Sequence, residues 1–516
     1  MADTTNTVRT GNAAGTVRAL VDRQALGRPD APFALAADGD AVLSYRELAA
    51  GCARIAALLQ QSGVAAGDTV SVVMPNGLNT LRVLLGVLWS GRCVNPVNLL
   101  AQPEQMRYVL GHSDCKLVVV APEWESRVRE MAAALDRPVA VWVAEPDALM
   151  LPGEGEAPAQ GGSAEPATDA LALLMYTSGT TGQPKGVMLT QANLAANAQA
   201  IVAEHALGAD DRVLAVMPLY HINAFAVTML APLASGGSLV MPPRFSVARY
   251  WGWAIDQRCS WLNVVPTMVS FLLEAEAPAL DALAGIRFCR SASAALPPEH
   301  LQGFERKFGL GVIETMGLTE TVAPCFSNPL DPARRKLGSV GQASGCEARV
   351  IDAALQPVAD GVTGEVAIRG PNVMRGYYKN PDATAASFTA DGWLRTGDLG
   401  HRDADGFFFI TGRIKELIIK GGENIAPREI DEALLRHPAV LDAAAVGMPD
   451  RHYGQEILAC VVLREGHACD EAELRAFCEP LLGRYKTPKQ IRFVTELPRG
   501  PSGKVQRLKL LDPDRS

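Results

Sequence analysis

The sequence has no excess of basic residues. Its 516 residues carry 48 Lys and Arg against 56 Asp and Glu, which gives a formal net charge of −8. Domains that bind nucleic acids usually present a basic stripe, so this balance argues against a general nucleic-acid partner. It does not exclude small anionic ligands, because a local cluster of donors can outweigh the net charge of the whole chain.

Clustered cysteines and long apolar runs are also absent. The ten cysteines are scattered, without a CxxC pair or the Cys/His spacing of a zinc site, which predicts reduced thiols in a cytoplasmic protein. The first residues are polar and lack the apolar segment of a signal peptide. The longest apolar region, 222–241, is interrupted by Pro232, Gly236 and Gly237. We therefore predict no membrane span and a cytoplasmic location.

Short apolar segments that alternate with amphipathic ones dominate the amino-terminal third. Ser44 with Glu47 three residues later forms the pattern of a capping box, and it opens an amphipathic segment. Alternation of this kind predicts an α/β fold with parallel, doubly wound sheets. By contrast, residues 152–168 have little apolar bulk, and we interpret them as a linker or long loop.

A stretch rich in Gly, Ser and Thr follows this linker directly. Residues 176–186 read Tyr-Thr-Ser-Gly-Thr-Thr-Gly-Gln-Pro-Lys-Gly, after an apolar run that fits a buried strand. Hydroxyl groups and glycine amides suit phosphate oxygens, and a lysine adds a positive charge. The pattern is not a Walker A loop, and alone it would be interpreted as a solvated loop. The candidate phosphate-binding residues are Thr177, Ser178, Gly179, Thr180, Thr181, Gly182 and Lys185.

This stretch closely resembles the signature of the adenylate-forming superfamily, which contains acyl-CoA synthetases, luciferases and amino-acid adenylation domains. Segments 314–320, 392–399, 411–416 and 497–507 resemble its other motifs, in the same order. The resemblance implies a large domain with parallel or mixed sheets flanked by helices, a distorted β-barrel subdomain, and a small mobile α+β domain. The implied boundaries are a flexible amino terminus at 1–16, the large domain at 17–411, a hinge at 412–416 and the small domain at 417–516.

The resemblance also implies how the nucleotide is held. Thr319 would touch the α-phosphate, Glu320 would hold Mg²⁺, Asp398 would accept hydrogen bonds from the ribose hydroxyls, and Arg413 would contact ribose and phosphate. Met316 stands where the family usually has an aromatic residue against the adenine. Further residues predicted to line the nucleotide site are Ser293, Ala294 and Thr315.

Three further elements carry the reaction in relatives. Lys504, in the terminal Gly-Lys motif, would reach the active site during adenylation. Lys415 occupies the hinge about which the small domain rotates. Gly421 and Gly422 would line the tunnel for the pantetheine arm of coenzyme A, because glycine permits a close backbone approach.

The acyl pocket is predicted from residues that the motifs bring close to the nucleotide. His221 inherits the position between acid pocket and thiol tunnel, although a lone histidine beside apolar residues is more often a packed one. Asn223 and Met316 would face the acid. Arg290 lies in an apolar strand, where an unpaired charge is costly. It either pairs with a structural carboxylate or recognises an acidic tail on the substrate.

Together these features predict an AMP-forming acyl-CoA synthetase that uses ATP, Mg²⁺ and coenzyme A. The polar pocket favours a short polar or dianionic acid, such as a dicarboxylate or sulfoacetate. Alternatives are a medium-chain or aromatic acid, a stand-alone adenylation domain that loads a carrier protein, and a nucleotide-binding protein without catalysis. The resemblance leaves a homodimer open.

Overall fold

The computed structural model describes residues 15–148, 150–151, 153, 164–177, 183–500 and 504–512. Most of the predicted flexible amino terminus, most of the linker at 152–168, and residues 178–182 of the phosphate-binding stretch lie outside the described residues. The predicted roles of Ser178, Gly179, Thr180, Thr181 and Gly182 therefore stay predictions.

The described residues form α-helices, β-strands and short 3₁₀ turns. The strands are β1 (Pro32–Ala36), β2 (Val42–Ser44), β3 (Thr69–Val73), β4 (Cys93–Pro96), β5 (Leu117–Val120), β6 (Ala140–Val143), β7 (Leu171–Thr177), β8 (Lys185–Thr190), β9 (Arg212–Leu214), β10 (Ser238–Met241), β11 (Trp261–Val264), β12 (Phe288–Ser291), β13 (Val312–Leu318), β14 (Ala323–Ser327), β15 (Gln342–Ala343), β16 (Glu347–Ile351), β17 (Gly364–Arg369), β18 (Gly376–Tyr377), β19 (Leu394–Arg402), β20 (Phe408–Arg413), β21 (Ile418–Lys420), β22 (Glu423–Ile425), β23 (Val440–Asp450), β24 (Gly454–Leu463) and β25 (Gln490–Phe493).

The helices pack on the faces of these sheets. They are α1 (Val17–Gly27), α2 (Tyr45–Gln61), α3 (Leu78–Trp89), α4 (Pro103–His112), α5 (Glu125–Ala133), α6 (Gln191–Glu204), α7 (Ala231–Ser235), α8 (Val247–Asp256), α9 (Pro266–Glu274), α10 (Pro298–Phe308), α11 (Pro381–Ala386), α12 (Pro427–Leu435) and α13 (Glu471–Lys486), together with a π-helix at Asn223–Leu230.

Two mixed sheets make up most of the large domain. One has nine strands in the order β15-β14-β13-β12-β11-β9-β10-β1-β2, and the other has seven in the order β18-β8-β7-β4-β3-β5-β6. The central strands of both are parallel. Antiparallel strands complete both edges of the nine-stranded sheet and one edge of the seven-stranded sheet, whose other edge strand, β6, is parallel. The α/β prediction is confirmed. In open parallel sheets ligands bind at the carboxyl ends of the strands, so those ends are the first place to look for a site.

Two smaller sheets complete the fold. One is the antiparallel sheet β16-β17-β19-β20. The carboxyl-terminal region contains β22-β21-β24-β23, with β25 paired to β24, and its own apolar core around Ile430, Leu434 and Leu474. A separate core of this size permits a separately folded small domain.

Helix starts follow the sequence signals closely. Ser44 accepts from the backbone of Glu47, whose carboxylate accepts from the backbone of Ser44, and this capping box opens α2. Thr190 caps α6 in the same manner, with Asn193 as the reciprocal partner. Pro427 occupies the first turn of α12, where its missing N–H costs nothing.

None of the helices in the described residues combines the length and apolar character that crossing a bilayer requires. The interrupted apolar region instead forms the π-helix, α7 and β10. All ten cysteines are free, as predicted.

Candidate active site

A cleft of about 260 Å³ lies where the carboxyl-terminal region meets the large domain. It gathers residues from the turn after β12, from β13, β19, β20 and α12, and from the tail segment, which are far apart in the sequence. The predicted nucleotide residues that line it are Ser293, Ala294, Thr315, Met316, Asp398, Arg413 and Lys504.

The floor of the cleft is built at the carboxyl ends of two parallel strands. β12 and β13 pair with Ser291 opposite Glu314, so the turn after β12 and the end of β13 lie side by side. Ser293 in that turn has φ of 76°, a left-handed conformation that glycine adopts without strain and that costs other residues about 1 kcal/mol.

Asp398 and Arg413 form an ion pair across β19 and β20. They stand opposite each other in the strand register, and the Arg413 Nε donates to Asp398 Oδ1 at 2.6 Å while Nη2 donates to Oδ2 at 3.3 Å. Asp398 is 3% exposed. Burial opposes the charge of Arg413, but Asp398 outweighs it and raises the pKa of the guanidinium. The pair presents a fixed carboxylate and a fixed cation to the cleft.

Lys504 reaches this pair from the tail segment. Its carbonyl accepts a hydrogen bond from the backbone of Gly500 at 2.7 Å, and Arg499 and Val505 form an antiparallel bridge. Arg507 anchors the segment through Asp431 at 2.5 Å and Glu416 at 3.3 Å. The structure therefore places the lysine in the same cleft as Asp398 and Arg413, which are predicted to bind the nucleotide.

The charges around Lys504 come from both sides of the cleft. Although the residue is open to the cleft, loss of solvent lowers the pKa of its amine, and Arg413 acts in the same direction. Asp398, Glu320 and Glu416 act in the opposite direction. An incoming anion would add to these carboxylates and favour the ammonium form.

Lys185 and Glu320 meet at a second group of residues. Lys185 Nζ lies 4.9 Å from the ring centre of Tyr377, and the Tyr377 hydroxyl donates to Glu320 Oε1 at 2.8 Å. Among the ion pairs of the described residues, none neutralises Glu320. Thr177 is paired with Lys185 across β7 and β8, and Thr319 begins the turn that carries Glu320. A carboxylate without a protein cation suits Mg²⁺.

The predicted acyl residues lie behind the floor of the cleft. Asn223 opens the π-helix and its amide donates to Ser293 Oγ at 3.2 Å. Arg290 donates to amide oxygens of Asn223 and Asn263, and no carboxylate of the described residues pairs with it, which favours the alternative of an acidic tail on the substrate. An amide cluster rather than a carboxylate surrounds this charge. His221 precedes the π-helix, and its ring lies edge-on to Tyr220 at 4.7 Å.

The predicted tunnel and hinge residues are not among those lining the cleft. Gly421 and Gly422 form the two-residue turn between β21 and β22, with φ of 57° and 89°. A turn of this type requires left-handed residues and accounts for both glycines without a ligand. Lys415 lies exposed in the 3₁₀ turn Ile414–Glu416. Their roles in thiol access and rotation stay predictions.

Sequence reasoning missed Glu314, a buried carboxyl that lines the cleft. Its Oε1 accepts from the backbone of Leu296 at 3.2 Å. Burial raises the pKa of Glu314 to about 7, while Arg428 acts in the opposite direction. Its place as the first residue of the motif segment 314–320 was the available signal, but burial of the side chain depends on tertiary packing.

We expect Glu314 to make folding stability depend on pH. A raised pKa in the folded state stabilises the protein at low pH, and this contribution is lost as pH rises through about 7. Between pH 5.5 and 8 the loss should be roughly 2 kcal/mol. Glu314→Gln should remove that part of the slope in denaturant unfolding followed by tryptophan fluorescence. The exposed Glu276→Gln is the control, and an equal slope in Glu314→Gln and wild type would contradict the assignment.

Comparison with known proteins identifies the family to which the chain belongs. A sequence model described as AMP-binding enzyme matches residues 21–378, and one described as AMP-binding enzyme C-terminal domain matches 429–504. The chain belongs to the AMP-binding enzyme family. The predicted membership of the adenylate-forming superfamily, in its AMP-forming acid–thiol ligase branch, is confirmed.

The relatives cover nearly the whole chain. A sulfoacetate–CoA ligase of Cupriavidus necator is 57% identical, over 96% of this chain and 97% of its own length. An oxalate–CoA ligase of Arabidopsis thaliana is 35% identical, over 87% and 89% respectively. The ATP-bound structure of MatB from Rhodopseudomonas palustris superposes with a TM-score of 0.90 at 31% identity, over 96% of this chain and 98% of that one. The apo structure of MatB gives 0.81, at 31% identity over 97% and 98%.

Proposed function

We propose that this ligase activates a short acid with a second anionic group, of the sulfoacetate class, and transfers it to coenzyme A through an acyl-AMP. The observation that carries the proposal is the meeting of Lys504 with Asp398 and Arg413 in one cleft. The sulfoacetate–CoA ligase that shares 57% of its residues supports the acid, and the oxalate–CoA ligase supports a small polar substrate.

In the first step an oxygen of the substrate carboxylate attacks the α-phosphorus, and the bond to the bridging oxygen breaks to release pyrophosphate. Both reactants are anions, so catalysis consists mainly of positioning and of compensating charge on the phosphoryl oxygens. Lys504 would bridge the carboxylate and the α-phosphate. Arg413 would contact ribose and phosphate, and Asp398 would accept from the ribose hydroxyls.

The leaving pyrophosphate needs its own counter-charges. Lys185 and Glu320 are linked through Tyr377, which puts a cation and a carboxylate within reach of one polyphosphate. Glu320 would hold Mg²⁺, which when bound screens the phosphate charges. Thr177 and Thr319 would supply hydroxyl donors from the two sides of this group.

In the second step the thiol sulfur of coenzyme A attacks the acyl carbon, and the bond to the AMP oxygen breaks. Lys504 in its present position obstructs that face, so the small domain would rotate about Lys415 between the steps and bring Gly421 and Gly422 to the thiol. The higher TM-score against ATP-bound than against apo MatB supports an adenylation arrangement here. His221 would stand between the acid and the thiol.

In the part of the chain that the structure describes, two ion pairs join the large domain to the small domain in the adenylation arrangement. Arg464 Nη1 lies 2.5 Å from Glu274 Oε1, and Arg436 Nε lies 3.6 Å from Glu299 Oε1. Both pairs are partly exposed, so each contributes only about 0.2–1 kcal/mol. Glu274→Ala combined with Glu299→Ala should therefore slow adenylation about two- to fivefold without slowing thioester formation from supplied acyl-AMP. Rapid-quench assays of each step would measure this.

The matched control for the ion-pair variant is Glu347→Ala, which removes an exposed pair with Arg369 inside the large domain. Equal slowing of both steps in the double variant, or the same effect in the control, would contradict a role in domain orientation.

Pyrophosphate release across a panel of acids tests the proposed activity. We expect sulfoacetate and short dicarboxylates to exceed acetate, octanoate and benzoate, with thioester formed only when coenzyme A is present. Pyrophosphate release that never leads to a coenzyme A thioester would favour a carrier-protein adenylation domain instead. We also propose that the activity depends on Mg²⁺, that the protein is cytoplasmic and that it forms a homodimer. Sedimentation equilibrium would test the homodimer.

A further inference from the structure

Arg290 is a buried cation at the end of β12. It is 1% exposed, and its Nη1 donates to Asn223 Oδ1 at 2.9 Å and to Asn263 Oδ1 at 2.7 Å. Asn263 stands directly beside it on the neighbouring parallel strand β11. Two neutral amides thus hold one nitrogen of the guanidinium in a fixed position.

Both amides are oriented by their other contacts. Asn223 Nδ2 donates to Ser293 Oγ at 3.2 Å and to Met217 Sδ at 3.5 Å. Asn263 Nδ2 points to the same sulfur at 3.7 Å. Because each amide nitrogen points toward Ser293 or Met217, the amide oxygen on the other side of each group faces Arg290. The side chains of Asn223 and Asn263, together with Met217, are therefore arranged around a positive charge.

No negative charge in the described part of the chain pairs with Arg290. Its Nε is buried without an acceptor, and the ion pairs of the described residues do not include it. Burial lowers the pKa of Arg290 to about 9, and the only opposing contribution, from Cys289, is smaller. A buried charge normally has an ionic partner because desolvation is costly, so this cation lacks the group that would offset its burial.

The position of the cluster connects that missing anion to the reaction. Asn223 links Arg290 to Ser293, and Ser293 lines the cleft that holds Lys504. Asn223 is also the first residue of a π-helix, a conformation that occurs frequently at functional sites. Only one side chain therefore separates Arg290 from the wall of the cleft.

We infer that Arg290, oriented by Asn223 and Asn263, is the counter-charge for the second anionic group of the acid and determines the preference for sulfonate or dicarboxylate substrates. This inference rests on the proposed function. A short acid would place its reacting carboxylate near Lys504 and its distal anion toward Arg290. An acid without the second charge would leave Arg290 uncompensated.

Asn263→Asp tests this with minimal change of shape, because it supplies an internal carboxylate to Arg290. We measure kcat/KM for sulfoacetate and for acetate, with ATP and coenzyme A saturating, in wild type, Asn263→Asp and Arg290→Met. The ratio of the two values should fall about 100-fold or more in both variants, mainly through KM for sulfoacetate, with acetate still activated. Asn263→Asp should also unfold at or above the wild-type temperature.

Arg287→Met is the matched control, because this arginine begins the same strand region but pairs with Asp211 at 2.6 Å. Its substrate ratio should equal that of wild type. An unchanged ratio in Asn263→Asp, or a lower unfolding temperature for it, would overturn the inference. Wild type that releases no AMP with any acid would instead refute the proposed function, so the two failures are distinguishable.

Discussion

A Lys504→Ala variant is expected to lose acyl-adenylate formation by about a hundred- to a thousandfold and to keep thioester formation from supplied acyl-AMP. The amine stands in the cleft with Asp398 and Arg413, where charge grows on the phosphoryl oxygens only during the first step. The second step needs that face empty, so alanine removes nothing that the thiol requires. Pyrophosphate exchange measures the first step, and thioester release from acyl-AMP measures the second.

The control for this experiment is Lys509→Ala, an exposed lysine in the 3₁₀ turn of the same tail. It should leave both steps at wild-type rates. Equal loss of the two steps in Lys504→Ala would contradict the assignment, since it would indicate a structural role for the tail lysine.

The pH dependence of adenylation also tests the role of Lys504. Loss of solvent lowers the pKa of this amine, and only the ammonium form can compensate an anion. The kcat/KM for adenylation, which reports the free enzyme, should therefore fall as pH rises, on an alkaline limb below the usual lysine range. Lys504→Arg should move that limb to higher pH, because arginine stays protonated. A limb that does not move would assign it to another group.

An Asp398→Asn variant is expected to raise KM for ATP about 10- to 100-fold, the usual loss for hydrogen bonds to a charged group. The carboxylate both pairs with Arg413 and would accept from the ribose. Its loss also leaves the guanidinium of Arg413 without its partner, but the Arg413 side chain is 40% exposed and solvent can replace the carboxylate, so stability should fall by only about 1 kcal/mol. Steady-state kinetics with ATP varied, together with denaturant unfolding, measure the two effects.

Asp211→Asn separates these effects, because Asp211 pairs with Arg287 at the amino ends of β9 and β12, whereas the cleft lies at the carboxyl ends of the strands. It should lower stability without changing KM for ATP. If Asp398→Asn loses stability but keeps the wild-type KM for ATP, the predicted ribose contact is wrong.

Local signals made much of the fold predictable from the sequence. The capping box at Ser44, the cap at Thr190 and the proline at the start of α12 each act within one helical turn. Such signals do not depend on distant parts of the chain. The order of the strands in the sheets depends on contacts between distant segments, and the sequence did not predict it.

Site residues could be predicted where a sequence motif carries the chemistry. They could not be predicted where the contacting residues lie far apart in the sequence. The convergence of Asp398, Arg413 and Lys504 follows from motifs. Nothing near Arg290 in the sequence indicated Asn263, which lies on a neighbouring strand. Likewise Glu314 became notable only once packing showed its burial.

Product analysis with sulfoacetate tests the central claim most directly. The purified protein is incubated with ATP, Mg²⁺, coenzyme A and sulfoacetate, and nucleotides and thioesters are quantified by liquid chromatography with mass spectrometry. We predict equal amounts of AMP, pyrophosphate and sulfoacetyl-CoA, with acetate a much poorer substrate. Formation of ADP, release of AMP without thioester, or equal use of acetate and sulfoacetate would contradict the account.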